Sequence, residues 1–419
     1  MKTIIYSALS NLINFLFSKG AMVVAGVFTS HYATIEDAKT LTIIITTISA
    51  FGTLFQQAIS TTHIRYSDDT ITQSKQYKRT LVAITGACSI PVAIYLFYTS
   101  ALSLTNAALT TVLLIAYGAS GFKIAAATQL KKFKHISLIG TLQGLLTLAM
   151  LLPLIAYNGN SHLYTLPFLA SSMLWLTINT SLPKPEKSAT ATPDTVKKTF
   201  LPAIITGLFF MPVIWLLLGH VQSKFGDQEA FLLASANQWR MTIGILPTIF
   251  GGYLLLLLVN NSNSSTGNNR KLNFSITYYP ALLIALIFSL ATNKLSVIYP
   301  EALVKDGTLQ QTIMLFMIAS ILTSFKSSIS REMVAAELAK LSILSNIVWA
   351  IIFCTAYFIA FNNSGAVGVA KAFFVSQAIH LALWVPALVK YNLVPKDFFD
   401  KKFYLSLIPI VWMTYTYAT

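Results

Sequence analysis

A basic turn followed by a long apolar run, KKFKHISLIGTLQGLLTLAMLLPLIAY at residues 131–157, decides the fold class of this chain. The run continues from Ile136 to Tyr157 without a charged side chain. A helix needs roughly 20 apolar residues to cross the ~30 Å hydrocarbon layer of a membrane, whereas barrel strands give only ~10-residue alternating runs. The stretch therefore predicts a transmembrane helix that starts beside a cluster of lysines.

Comparable apolar segments recur along the whole chain, and together they predict an all-α integral membrane protein with 12–13 transmembrane helices. We place the helices at 4–28, 40–60, 80–100, 104–126, 136–157, 162–182, 199–221, 229–258, 275–297, 309–333, 339–361, 364–389 and 402–418. The last segment can either span the membrane or lie along its surface.

The composition agrees with this class. Hydrophobic residues make up 55% of the 419 residues and charged residues 10%, against about 25% charged in soluble domains. The net charge of +15 does not indicate a nucleic-acid partner, because most charges lie in short gaps between the apolar segments. Cys88 and Cys354 both fall inside apolar runs, so neither a disulfide framework nor a zinc site is expected.

The distribution of Lys and Arg over the loops predicts the orientation. Loops after even-numbered helices hold 18 of these residues and loops after odd-numbered helices hold four: Lys39, Lys224, Lys294 and Lys305. Since positive loops face the cytoplasm, we expect a cytoplasmic N-terminus in a bacterial inner membrane. The first segment resembles a signal peptide, but it continues past Lys19 without a convincing cleavage site, so we interpret it as a retained helix.

The polar stretch PKPEKSATATPDTVKK, residues 183–198, is typical of a linker. It divides the chain into an N-terminal six-helix half, 1–182, and a C-terminal six-helix half, 199–390. A basic loop and an extra apolar segment, 391–419, follow. Two halves of equal orientation can be related by a pseudo-twofold axis along the membrane normal, with a central cavity between them.

Basic residues inside the predicted spans are the candidate site residues, because intramembrane charges are costly and mark substrate pathways. We single out four, and the interior has few acids to balance them: Lys19, Arg240, Lys326 and Lys371. This positive excess indicates an anionic ligand. Arg331 can pair with Glu332 or reach the membrane interface, and His380 has a plain interpretation as a hydrogen-bonded core residue.

The chain lacks the sequence patterns of common enzyme sites. No metal-ligand spacing, nucleophile elbow, Walker loop or glycine-rich dinucleotide motif is present. We therefore expect neither a cofactor nor an ATP-driven pump, and a transporter rather than an enzyme.

The run ASANQWR at 234–240, followed by ILP at 245–247, resembles the "aaNQWR…lP" stretch of Wzx-type O-antigen and oligosaccharide flippases. These belong to the multidrug/oligosaccharidyl-lipid/polysaccharide exporter superfamily. KLSILSNIV at 340–348 and GAVGVA at 365–370 are similar to the last helix pair of that family. The chain departs from the family pattern at Ala58 and Gln129, where glycine is usual, in the end of the eighth helix, and in having 402–418 after the twelfth.

The resemblance implies a flippase that translocates undecaprenyl-diphosphate-linked oligosaccharide repeat units by alternating access, for O-antigen or lipopolysaccharide or a similar polysaccharide. Asn237 lies three residues before Arg240 and therefore shares its helix face, and Asn237 and Gln238 join the four basic residues as substrate-binding candidates. The resemblance also suggests the polysaccharide polymerase machinery as a partner. Coupling to protons or sodium is left open.

Two alternatives remain at this stage. A cation-coupled multidrug exporter of the same superfamily would need an intramembrane carboxylate, whereas the first helix carries Lys19 and no acid. A polysaccharide polymerase or ligase resembles chains with a large periplasmic loop, and no outer loop of that size is predicted.

Overall fold

The computed structural model describes residues 2–65, 75–98, 102–157, 161–177, 200–260, 267–299, 304 and 306–418. Within these residues the regular secondary structure is helical and contains no strand, which confirms the all-α class. The predicted linker, 183–198, lies outside the described residues. The chain divides into two compact units, Met1–Trp215 and Leu216–Thr419.

The N-terminal unit, Met1–Trp215, is built from nine helices in the described residues and the start of a tenth. They are α1 (Lys2–Ser18), α2 (Gly20–Tyr32), α3 (Ile35–Thr47), α4 (Thr53–Arg65), α5 (Lys75–Tyr98), α6 (Leu104–Gln129), α7 (Phe133–Ala156), α8 (Thr165–Met173), α9 (Leu201–Leu208) and α10 (Met211–Phe225). A π-helical turn, Ile48–Gly52, joins α3 to α4.

The C-terminal unit, Leu216–Thr419, continues from within α10. Its helices are α11 (Asp227–Asn260), α12 (Gly267–Ala291), α13 (Leu295–Ile298), α14 (Thr308–Ala335), α15 (Ala339–Ala356), α16 (Gly365–Lys390) and α17 (Lys401–Ala418). A second π-helical turn, Tyr357–Phe361, ends α15.

Ten helical runs in the described residues are long and apolar enough to cross a membrane. They correspond to ten of the thirteen predicted segments, and the other three predicted segments fall on α8, α11 and α17. The second predicted span becomes α3, the π turn and α4, which are mostly buried inside the N-terminal unit. In the C-terminal unit the corresponding central helix is α14, whose side chains from Ile313 to Ala319 are fully buried.

Two glycines bring α7 against α1 in the N-terminal unit. A Cβ at Gly140 would lie 2.6 Å from the Cα of Asn14, and one at Gly144 would overlap the carbonyl group of Phe17. Small residues spaced four apart let membrane helices approach to backbone contact. The sequence GTLQG at 140–144 therefore fixes the position of α1, and with it the position of Lys19 at the end of α1.

The helix α17 runs beside α12 along its length. Lys271 and Asp400 form an ion pair of 3.5 Å at the start of both helices. In the middle, the Tyr278 and Ser406 hydroxyls are 2.8 Å apart, and at the far end the Tyr417 hydroxyl donates to the Ser289 carbonyl at 3.2 Å. Contacts at both ends of α12 show that α17 lies parallel to it.

Candidate functional site

Lys19 lies at a break in the first span of the N-terminal unit. The turn between α1 and α2 is centred on this residue, which has helical dihedral angles and does not cap α2 with its side chain. Its Nζ donates to the Thr53 hydroxyl at 3.1 Å and lies 5.5 Å from the centroid of the Tyr117 ring. A hydroxyl and an aromatic face therefore hold this amine.

The π turn Ile48–Gly52 helps to place the two groups that contact Lys19. Thr53 follows this turn directly, and Gly52 within it packs on Tyr117, where an added Cβ would lie 3.3 Å from the ring. π turns inside α-helices are rare and occur frequently at functional sites. No carboxylate of the described residues lies within ion-pair distance of the Lys19 amine.

Arg240 is buried on α11 of the C-terminal unit, with 5% of its surface exposed. Its Nε donates to the Asn237 side-chain carbonyl at 2.7 Å, and its guanidinium carbon lies 5.4 Å from the centroid of the Phe373 ring. Residues three apart share a helix face, so the structure brings Asn237 and Arg240 together as their spacing predicts. Gln238 is buried next to Asn237 in the sequence.

Lys326 lies half-buried in the middle of α14. Its Nζ donates to the Gln377 side-chain carbonyl on α16 at 3.2 Å and lies 5.3 Å from the centroid of the Trp349 ring on α15. As with Lys19, no carboxylate of the residues that the structure describes is within ion-pair distance. Lys326 and Lys19 thus have the same surroundings in kind, one neutral oxygen and one aromatic face.

Lys371 is half-buried on α16, two residues before Phe373. Within the described part of the chain it makes no hydrogen bond or ion pair. The ligand-binding role of Lys19, Arg240, Lys326, Lys371, Asn237 and Gln238 stays a prediction.

Arg331 and Glu332 have different surroundings from those expected. Arg331 donates to the Asn273 side-chain carbonyl at 2.7 Å and to the Ser328 hydroxyl at 3.1 Å. Glu332 pairs instead with Arg270 at 3.0 Å and accepts from Asn273 at 3.2 Å. These bonds tie α12 to α14, so the buried carboxylate of Glu332 stabilises this helix pair.

Sequence reasoning missed the neutral partners of the buried cations. Aromatic residues in apolar spans are usually core or interfacial residues and give no specific signal, and Gln377 gave none because a lone glutamine in an apolar helix has no motif around it. A cation in one span and an aromatic or amide side chain in another indicate a site only when they are in contact. Which of them are in contact depends on tertiary packing. The partners are Thr53, Tyr117, Trp349, Phe373 and Gln377.

No protein-family model matches the sequence, and no curated protein is detectably similar to it. Solved structures do match the fold. An outward-facing multidrug resistance MATE family transporter of the MOP superfamily is 12% identical, with a TM-score of 0.68, and the match covers 100% of this chain and 96% of that chain. A MATE transporter in a straight conformation is 13% identical, with a TM-score of 0.70 over 93% of this chain and 97% of that chain.

A third similar structure is a MOP superfamily transporter from Pyrococcus furiosus, whose binding pocket is described as having reverse polarity that suggests a different function. It is 12% identical, with a TM-score of 0.67 over 93% of this chain and 96% of that chain. At these identities the likeness concerns the backbone arrangement over nearly the full length of both chains. The chain therefore has the fold of the MATE transporters of the MOP superfamily.

Proposed function

We propose that this protein is a flippase that moves undecaprenyl-diphosphate-linked oligosaccharide repeat units, for O-antigen or a similar polysaccharide, between the leaflets of the bacterial inner membrane. The observation that carries the proposal is the chemistry around the buried amines. Lys19 and Lys326 lie in membrane-spanning helices and are held by neutral oxygens and aromatic faces, without a carboxylate of the described residues at ion-pair distance.

Such amines fit an anionic ligand on energetic grounds. A charged residue at the bilayer centre costs roughly 2.5–3.5 kcal/mol on insertion scales. A diphosphate that enters hydrocarbon without its water costs far more. Cations held only by neutral groups keep their charge available to a phosphate, whereas a cation already paired with a carboxylate does not. The buried amine and the diphosphate thus each offset part of the other's desolvation cost.

The fold is compatible with this change of ligand charge. The Pyrococcus furiosus protein of the same fold is described as having a binding pocket of reverse polarity. A scaffold shared with multidrug transporters therefore need not fix the sign of the charge in the binding site, because side chains and not the backbone supply it.

A cation-coupled multidrug exporter is the second candidate, and the comparisons favour it, since similar structures include a multidrug resistance transporter and further MATE proteins. The two functions predict opposite effects for the buried cations. An exporter of cationic drugs would be improved or unaffected when Lys19 or Lys326 loses its charge, whereas a diphosphate-lipid flippase would be impaired.

The experiment is complementation of a deletion strain at matched protein level. We expect alanine at Lys19, Arg240, Lys326 and Lys371 together to abolish surface polysaccharide, and Lys19→Glu to be worse than Lys19→Ala. Resistance to cationic drugs is measured in the same strains. Full polysaccharide display from the fourfold variant, or drug resistance that depends on the intact protein while display does not, would overturn the proposal.

A further inference from the structure

A second group of polar side chains lies next to Lys326 in the C-terminal unit, on one face of α16. Gln377, His380 and Trp384 follow one another at spacings of three and four residues, which place them on the same side of a helix. Gln377 and His380 are fully buried. The side-chain carbonyl of Gln377 accepts from Lys326, so this face of α16 begins where the amine is held.

Each of these three side chains has a buried polar atom without a hydrogen-bond partner in the structure. The atoms are Gln377 Nε2, His380 Nδ1 and Trp384 Nε1. Folded proteins leave few buried polar atoms unpaired, and each one calls for an explanation such as a ligand, an ion or an ordered water. Three such atoms within two turns of one helix, beside a buried amine, point to a binding site.

The hydrogen bond on the opposite side of the imidazole fixes what His380 offers to this site. Its Nε2 lies 2.9 Å from the Ser345 carbonyl oxygen, which can only accept, so Nε2 carries the proton of the neutral ring. His380 Nδ1 is then a lone pair. Trp384 stacks on the ring with centroids 5.7 Å apart, an arrangement that also stabilises an imidazolium.

The inventory of donors depends on whether His380 is protonated. With neutral His380 the site mixes three donor groups, on Lys326, Gln377 and Trp384, with one acceptor. When Nδ1 takes up a proton, all four groups donate, which is the set that the oxygens of a tetrahedral anion need. A second positive charge beside Lys326 is unfavourable alone and favourable when an anion lies between the two.

We infer that Lys326, Gln377, His380 and Trp384 form a binding site for an oxyanion of the phosphate or sulfate type, which takes up one proton on His380 Nδ1 together with the anion. The inference deepens the proposed function and rests on it, since the anion of the substrate would be the natural ligand. It also makes anion binding to this unit dependent on pH.

Two charged groups near α16 are engaged elsewhere in the described contacts. Arg240 contacts Phe373, one turn before Gln377, and the Glu229 carboxylate accepts from the backbone of Ala366 at the start of α16. Besides His380, the ionisable residues of α16 and of the elements that pack on it are Asp227, Glu229, Arg240 and Tyr253 on α11, Lys326, Arg331 and Glu332 on α14, Lys340 and Cys354 on α15, Tyr357 on the π turn, and Lys371 and Lys390 on α16.

The test measures sulfate binding to the full chain in lipid nanodiscs by calorimetry between about pH 5 and 8, where histidine changes its charge. Sulfate is the probe because its own charge is constant over this range. We expect the affinity of the wild type to fall about tenfold from the lower to the higher pH, the value of one charge-assisted hydrogen bond. His380→Gln should remove this dependence, and the control His135→Gln, at an exposed position on α7, should keep it.

Trp384→Phe retains an aromatic ring beside His380 and loses only the Nε1 donor. It should therefore weaken sulfate binding several-fold at every pH and leave the pH dependence of the affinity unchanged. Should His380→Gln fail to fold, the protonation of Nδ1 is followed instead by ¹⁵N NMR of wild-type histidines with and without sulfate. Three results would each overturn the inference. They are no sulfate binding to the wild type, an affinity of His380→Gln that still depends on pH, and a histidine spectrum that sulfate leaves unchanged. The complementation experiment is independent, so a flippase can be upheld while this site fails, and the reverse.

Discussion

Replacing Arg240 tests whether this buried guanidinium binds the substrate. In the structure Arg240 lies over Phe373 and donates through Nε to Asn237, and a guanidinium can contact a phosphate in the bidentate manner typical of arginine. Arg240→Ala removes both the charge and the fork. Arg240→Lys keeps the charge and loses the fork.

The expected loss of pyrophosphate affinity follows from the hydrogen bonds that each substitution removes. A hydrogen bond to a charged group contributes about 1.5–3 kcal/mol, and each 1.4 kcal/mol corresponds to about a factor of ten in affinity. Arg240→Ala loses two such bonds, about 3–6 kcal/mol, and should therefore weaken pyrophosphate binding by about a hundred- to ten-thousandfold. For Arg240→Lys we expect roughly half of that free energy, about ten- to a hundredfold, because one of two parallel bonds is kept.

Binding is measured by calorimetry on purified protein in nanodiscs, beside surface polysaccharide in the complemented deletion strain. The matched control is Arg331→Lys, since Arg331 is a second buried arginine of the same unit, held by Asn273 and Ser328. It should lower the melting temperature without changing pyrophosphate affinity. Wild-type affinity in Arg240→Ala, or equal losses in Arg240→Lys and Arg331→Lys, would refute the reasoning.

Three further predictions concern stability and are checked by thermal unfolding in detergent. Gly144→Ala should destabilise the N-terminal unit by about 1–3 kcal/mol through overpacking against α1, whereas Gly20→Ala, where nothing lies within 4 Å of the new Cβ, should be neutral or stabilising. Backbone hydrogen bonds at the start of α17 and a nearby lysine hold the pKa of Asp400 below its usual range. Because this pKa is lowered by folding, its stabilisation is present above the ordinary aspartate pKa and is lost in acid, so Asp400→Ala should melt earlier than wild type at pH 7 and alike once Asp400 is protonated. Arg270→Ala should lower the stability of the wild type more than it lowers the stability of the Glu332→Leu variant. In the wild type the change leaves the buried carboxylate of Glu332 without its cation.

The sequence predicted the fold class because the apolar composition of each segment determines whether it can cross a membrane. Ten of the thirteen apolar segments appear as helical runs able to cross a membrane, and the contacts of α17 place it beside α12. The break at Lys19 inside the first span was not predicted, since an apolar run does not indicate where its helix is interrupted. The π turn Ile48–Gly52 was not predicted for the same reason.

The candidate site was predictable only in part. Charge in an apolar segment is a strong local signal, and it selected Lys19, Arg240, Lys326 and Lys371, whose role in binding stays a prediction. Pairings across helices depend on rotation and depth, which a single sequence does not record. The spacing of Asn237 and Arg240 on one helix could be read, whereas the meeting of Lys326 with Gln377, 51 residues later, could not.

The placement of the acids bears most directly on the sign of the substrate's charge. Every carboxylate in the part of the chain that the structure describes lies in a terminal turn of a helix or between helices. The two that approach the core of the C-terminal unit are already engaged, since Glu229 accepts from the backbone at the start of α16 and Glu332 is held by Arg270 and Asn273.

Within the described residues, Glu332 could be presented to a cationic drug only by breaking its pair with Arg270, and breaking a buried ion pair by removing one partner costs about 3–5 kcal/mol. The buried amines of Lys19 and Lys326 carry no such cost, because the groups that hold them are neutral. An anionic ligand can therefore bind without dismantling either unit. This difference in the cost of exposing charge, rather than the count of charges, is the physical reason to place a diphosphate-linked substrate ahead of a cationic drug.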